Sequence, residues 1–131
     1  MNKVKLQKSG IGYCVANVEN LTSFQGKAFV KEVVDTTSVE VSFGSLSQGE
    51  SIPFFHHHKQ NEELYIIISG TGMFMLNNEE IEITSGSIVK INPEVSRCIK
   101  CTSEESLIYI CIQGKNGSLE QYTATDCVIE E

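Results

Sequence analysis

Polar and hydrophobic positions alternate along most of this chain with a period of two, in short runs broken by clusters of turn-forming residues. The clearest run is Val39-Glu40-Val41-Ser42-Phe43, where every other residue is apolar. Successive strand side chains point to opposite faces, so this run predicts a strand with one face buried and the other wet. Strands are predicted over residues 28–34, 39–46, 52–58, 64–68, 73–76, 81–83, 88–91, 97–101 and 107–112. The breaks between them are rich in Gly, Pro, Asn, Asp and Ser, as at Asp35-Thr36-Thr37-Ser38, Ser69-Gly70-Thr71-Gly72, Asn77-Asn78 and Asn92-Pro93. Many short strands with no helical period predict an all-β antiparallel sandwich or barrel. Residues 1–27, interrupted by Gly10 and Gly12, read as an N-terminal arm; residues 28–113 form the barrel; residues 114–131 are a polar tail with no clear element.

Two runs depart from simple alternation. Residues 64–68 and 107–112 are apolar on both faces, which predicts a cover on their outer side as well as a core on the inner one. The N-terminal arm lying on the barrel would supply it; so would a second copy of the chain, and a homodimer is the expectation because monomers seldom expose large apolar patches.

Composition narrows the class. A chain of 131 residues, 40% hydrophobic and 21% charged, suits one globular domain. A net charge of -7 leaves no basic stripe for nucleic acid and disfavours an anionic membrane surface. The basic N-terminus is followed by no apolar h-region, and no run approaches the roughly 20 apolar residues that span a bilayer. Five cysteines, an odd number at low density, suggest reduced thiols and a cytoplasmic setting. Cys98 and Cys101, three apart on a predicted strand, face opposite ways and make a poor chelate.

The candidate chemistry concentrates between Gly49 and Gly72, where three histidines and two glutamates fall within eight positions. On an extended segment His56 and His58 share a face and His57 takes the other. After the turn at Lys59-Gln60-Asn61, a strand folding back brings one carboxylate, Glu62 or Glu63, level with the pair. Two imidazoles and one carboxylate with open positions suit a divalent transition metal, Fe, Mn, Ni or Zn.

Gly49, six residues, His56-x-His58, four residues, Glu63, six residues and Gly70 resemble the first motif of the cupins. The six-residue step to Gly70 is what selects Glu63 over Glu62. The resemblance implies a cupin-like antiparallel β-barrel, that is a double-stranded β-helix or jelly roll, with a pocket inside it and His56, His58 and Glu63 as metal ligands. It also implies a small polar or anionic ligand and, for an enzyme, chemistry of the sugar isomerase or epimerase type or of the dioxygenase type.

Residues 86–97 resemble the second cupin motif, but Arg97 stands where that motif has its histidine. A guanidinium has no lone pair for a metal. Three arrangements are open. Arg97 binds an anionic group of the substrate beside a metal on the other three residues; or it pairs with Glu63 in a non-catalytic, metal-free small-molecule binding module; or it turns outward and Cys98 becomes a ligand. Tyr65 and Ile67 follow Glu63 on the cavity side, with Phe43, Phe54, Met73 and Met75 as further candidate lining, and the Tyr65 hydroxyl is a candidate catalytic group that orients a substrate or serves as an acid.

Overall fold

The computed structural model of the chain describes residues 3–130. The alternating runs become ten strands: β1 (Val4–Gly10), β2 (Tyr13–Val18), β3 (Lys27–Phe29), β4 (Glu40–Leu46), β5 (Asn61–Ser69), β6 (Thr71–Leu76), β7 (Glu79–Thr84), β8 (Ile88–Ile91), β9 (Arg97–Cys101) and β10 (Leu107–Lys115). Two four-residue helices, α1 (Lys31–Val34) and α2 (Thr123–Asp126), complete the described elements together with a 3-10 turn at Leu21–Ser23. Every strand pairing is antiparallel: a five-stranded sheet in the order β3-β4-β10-β5-β8 faces a three-stranded sheet in the order β7-β6-β9, and β1 and β2 form a separate hairpin.

The fold is therefore the all-β jelly roll expected, although ladder hydrogen bonds do not close the two sheets into one cylinder. Between them lies the core. Leu46, Tyr65, Ile67, Tyr109 and Cys111 project from the large sheet against Phe74, Ile83, Ile99 and Cys101 of the small one. The turn from β5 into β6 passes so near the β10 entry that a Cβ on Gly70, at φ 81°, would collide with the Ser106 carbonyl oxygen. Only glycine takes that conformation without strain while allowing such an approach.

A second cluster covers part of the large sheet's outer face. Val4, Phe24, Ala28 and Ile108 are buried there, with Ala16, Val18, Val33, Phe43 and Ile68 packed against them. The apolar outer positions of 64–68 and 107–112 are thus met in part by the chain's own N-terminal segment.

Several local expectations change. Residues 28–34 are not one strand: β3 ends at Phe29 and α1 follows, closed by Asp35 in the left-handed conformation (φ 51°) with its carboxylate 3.2 Å from Lys31. In β4 the alternation is real but inverted, since Ser42 is buried on the core side while Phe43 packs outward beside Phe24, ring centroids 6.0 Å apart. Small residues occupy the inner side because Tyr109 fills it: its ring and hydroxyl sit where a Cβ on Gly44 would be. Met73 and Met75 likewise face away from the core, which Phe74 enters, and Phe54 is largely exposed. Gly10 and Gly12 flank a hairpin turn rather than breaking an element, and the tail contains α2.

Candidate metal centre

The site spans both sheets. Glu63 comes from β5, in the large sheet, on the inner face it shares with Tyr65 and Ile67. The histidines come from residues 51–58, which run beside β9 of the small sheet without forming the regular strand expected for 52–58. Ser51 bridges to Lys100 and His56 to Arg97, so five steps along one side (51 to 56) oppose three along the other (100 to 97). The surplus lies between Ile52, whose N–H still donates to the Ile99 carbonyl at 3.0 Å, and His56, a stretch that includes Pro53, which has no N–H to give to a ladder. Beyond that stretch the backbone is pinned again: His56 and Arg97 exchange both peptide hydrogen bonds, at 3.1 and 3.0 Å, and the His58 N–H donates to the Pro93 carbonyl at 2.8 Å.

That pinning restores the alternation on which the histidine pair depends. His56 and His58 turn inward, half-buried, with ring centroids 5.3 Å apart and planes at 80°, while His57 is exposed. One ligand atom from each of His56, His58 and Glu63 lies within 4.8 Å of the others. A single ion at bond lengths of about 2.0–2.2 Å holds its donors roughly 3–4 Å apart, so small side-chain adjustments would close the set.

Glu63 is 2% exposed and Arg97 fully buried. Arg97 Nη1 donates to Glu63 Oε1 at 2.6 Å; Nη2 donates to the carbonyls of Asn92, Pro93 and Val95 at 2.8, 3.1 and 2.8 Å, and Nε to Val95 at 3.0 Å. The turn of residues 92–95 thus wraps the guanidinium. Of the three arrangements open to Arg97, the side chain adopts the pairing with Glu63. Cys98 lies on the opposite face of β9, its thiol on the Ile52 carbonyl at 3.1 Å, out of the cluster.

Arg97 takes one carboxylate oxygen and leaves the other. Glu63 Oε2 receives the Cys111 thiol at 3.4 Å and lies 3.0 Å from His58 Nε2. The approach to His58 lacks hydrogen-bond alignment, because Nε2 of His58 and Nδ1 of His56 are both buried with no hydrogen-bond partner among the described residues. Buried polar nitrogens without partners are uncommon and costly. Two of them beside a carboxylate oxygen form a set of lone pairs that a cation would satisfy, so the residues fit a divalent metal. Burial, opposed by Glu63 and reinforced by His58, Arg97 and Lys27, holds the His56 pKa below its ordinary value and favours the neutral ring that coordinates.

Behind the carboxylate, Tyr65 packs edge-on to Phe74 at 4.9 Å and against Tyr109 at 5.5 Å. Burial, then the neighbouring Cys111 and Glu63, pushes its phenol far above the ordinary value, and burial with Glu63 pushes the Cys111 thiol up to about 12. The place of Cys111 beside Glu63 follows from the β5–β10 register, in which it pairs with Tyr65. A cleft of about 600 Å³, lined in part by Lys59, Pro93, Glu94 and Lys115, leads to His58 from solvent.

A jelly roll with a two-histidine, one-glutamate cluster bridging its sheets defines the class, and the comparisons name it. The cupin domain model matches residues 42–113, and the chain belongs to that family. It is 39% identical to a cupin protein from Bacteroides fragilis, with a TM-score of 0.79 over 82% of this chain and 91% of that one. A candidate sugar phosphate isomerase from Acidithiobacillus ferrooxidans (19% identical, TM-score 0.60, covering 68% of this chain and 58% of that one) shares the fold. So does a predicted oxalate decarboxylase from Thermotoga maritima (22% identical, TM-score 0.58, covering 68% and 78%). An uncharacterized protein from Methanocaldococcus jannaschii is 32% identical over 56 residues, 43% of this chain; the match spans 45% of that relative's length.

Proposed function

We propose that the chain binds a divalent transition metal through His56, His58 and Glu63 and presents it to a small polar or anionic molecule entering at the mouth of the jelly roll. The observation that carries this reading is the pair of buried imidazole nitrogens, His56 Nδ1 and His58 Nε2, without hydrogen-bond partners among the described residues and clustered with the Glu63 carboxylate. When bound, such a metal acts as a Lewis acid on an oxygen of the ligand, which serves isomerase or epimerase chemistry and dioxygenase chemistry alike. Arg97 acts through Glu63: it holds Oε1 and leaves only Oε2 to coordinate. Tyr65 retains its proton at any physiological pH and steadies Cys111 and Glu63, a positioning role in place of acid catalysis. A second copy of the chain covers what the N-terminal segment leaves open on the outer sheet face.

The 2.6 Å contact between Arg97 and Glu63 supports a second reading, a metal-free pocket that binds a small molecule without turning it over. An internal cation already compensates the carboxylate, and a divalent ion must bind beside that positive charge.

Metal analysis separates the two. Protein purified without a histidine tag is expected to carry close to one transition metal per chain, lost in His56→Ala and in His58→Ala while circular dichroism stays that of the parent. Protein that is metal-free and gives no heat with Fe(II), Mn(II), Ni(II) or Zn(II) would rule out the metal reading and leave the binding module.

A further inference from the structure

Arg97 is spent on Glu63, so the charge of an anionic ligand calls for another cation, and strand register brings one to the mouth of the jelly roll. Glu63 on β5 stands opposite Gln113 on β10, and in the next row of the same face Asn61 stands opposite Lys115. Positions two apart on a strand share a face, so Lys115 belongs to the inner face with Gln113 and Cys111. It is the diagonal neighbour of Glu63 on the adjacent strand, a separation of about 7–8 Å across a sheet. As the last residue of β10 it is exposed, while the polar side chains of the rows inside it are already engaged. Asn61 Nδ2 donates to Gln113 Oε1 and Gln113 Nε2 donates to Glu40 Oε1, each at 3.2 Å.

The same lysine lines the cleft of about 600 Å³ that reaches His58. Lys59, next in the chain to His58, lines it too, together with Gln60, Glu94 and Asn116. Backbone hydrogen bonds hold this lining together: the Asn116 N–H donates to the Gln60 carbonyl at 2.9 Å, and the His58 N–H to the Pro93 carbonyl at 2.8 Å. Those acceptors are occupied, as is the Lys115 carbonyl, which takes the Ser118 N–H at 3.1 Å. A ligand entering the cleft therefore meets chiefly donors. The lining carries two ammonium groups against one carboxylate, in a chain whose net charge is -7. Among the described residues none of those three groups is held in an ion pair.

We propose that Lys115 is the anion anchor of this site, with Lys59 beside it in the cleft. Its ammonium receives a carboxylate or phosphate at one end of a small ligand, whose other end carries an oxygen to the His56–His58–Glu63 cluster. A charged donor on a carboxylate or phosphate makes one of the stronger hydrogen bonds, and the row spacing between Lys115 and Glu63 sets the length of ligand that can span the two. This rests on the cluster being a ligand site, as proposed above, though not on the metal being present.

Calorimetric titration of the full chain tests it, with malonate and phosphoglycolate as two-ended probes, against protein carrying one equivalent of Mn(II) and against metal-free protein. At least one probe is expected to bind the parent, and the one that binds better tells which anionic end the anchor takes. Lys115→Met is expected to weaken that probe about tenfold or more and Lys115→Arg to restore it, with Mn(II) affinity in Lys115→Met no weaker than the parent's. Lys59→Met is expected to weaken the probe by less. Lys100→Met removes the same charge from the outer face of the small sheet and is expected to change nothing. Equal probe affinity in Lys115→Met and the parent overturns the proposal, as does an equal loss in Lys100→Met or failure of both probes to bind the parent; the metal reading survives each of these if Mn(II) still binds. If metal-free protein binds a probe in a Lys115-dependent way and Mn(II) never binds, the metal reading falls and the anchor stands.

Discussion

At the scale of single residues, the site is a buried carboxylate around which other groups have been forced into fixed protonation states. Glu63 is paired with Arg97, and three weak acids packed behind it, Tyr65, Tyr109 and Cys111, are all held neutral, chiefly by burial. Tyr109 and Cys111 are each pushed up to about 12. A folded-state pKa above the unfolded one means that the unfolded chain loses its proton first. The contribution is intact below the unfolded value, 9.0 for the thiol, and is lost as pH rises toward 12. Urea unfolding between pH 8 and pH 12 should therefore show falling stability, and Cys111→Ser should flatten part of the decline; an unchanged slope would mean the thiol is not held neutral in the fold. Local alternation put His56 and His58 on one face, and the resemblance to the cupin motif, through its step to Gly70, selected Glu63 over Glu62; the three do cluster. The fate of Arg97 was not readable, since the carbonyls that wrap it and the carboxylate it meets are contributed by a turn and by a strand of the other sheet. Cys111 was hidden for the same reason: it reaches Glu63 only through strand register.

At the scale of elements, the alternating pattern located the strands well and their faces less well. β8 and β9 begin and end where the sequence places them, bounded by Gly86, Pro93 and a Ser/Glu-rich turn. β4 shows where alternation fails: it says that the two faces differ, but when the N-terminal segment covers the outer side, both faces are apolar environments, and the bulk of Tyr109 decides which takes Phe43. The short α1 escaped notice because Val30, Val33 and Val34 favour strands, yet two of them, Val30 and Val33, earn burial from a helical turn by packing on the outer cluster. Phe24 is the centre of that cluster, 2% exposed and set between the 3-10 turn and β3. Phe24→Ala should cost about 3–5 kcal/mol by the usual penalty for emptying an aromatic site. Amide hydrogen exchange should speed up first in β1 and β2, because a two-stranded hairpin has little stability of its own. Uniform acceleration across β4, β5 and β10 would instead show that the segment and the jelly roll open as one unit.

At the scale of the whole molecule, the N-terminal segment covers only one end of the large sheet. From Phe43, which that segment covers, the row runs on through Ile110, Ile66 and Ile88 in register across four adjacent strands, and Ile88, on the edge strand β8, is 68% exposed. Val41, Ile112 and Leu64 form the next row, ending at Lys90, whose ammonium lies 3.9 Å from Glu62. A groove over the same face is lined by Val39, Leu64, Ile112 and Leu119. An apolar band bordered by one basic and one acidic side chain is self-complementary under a two-fold axis, because Lys90 of each copy can face Glu62 of the other. A stable interface needs roughly 800 Å² from each partner, which a four-strand face can provide. Sedimentation equilibrium should therefore find a dimer of the 14.5 kDa chain, and Ile88→Glu should dissociate it by placing a charge in the band without touching the inner face. Metal content should be the same in monomer and dimer, since the cluster opens on the opposite side of the sheet. A parent protein that stays monomeric from micromolar to millimolar concentration would leave the row covered by nothing but solvent and would remove the second copy from the account.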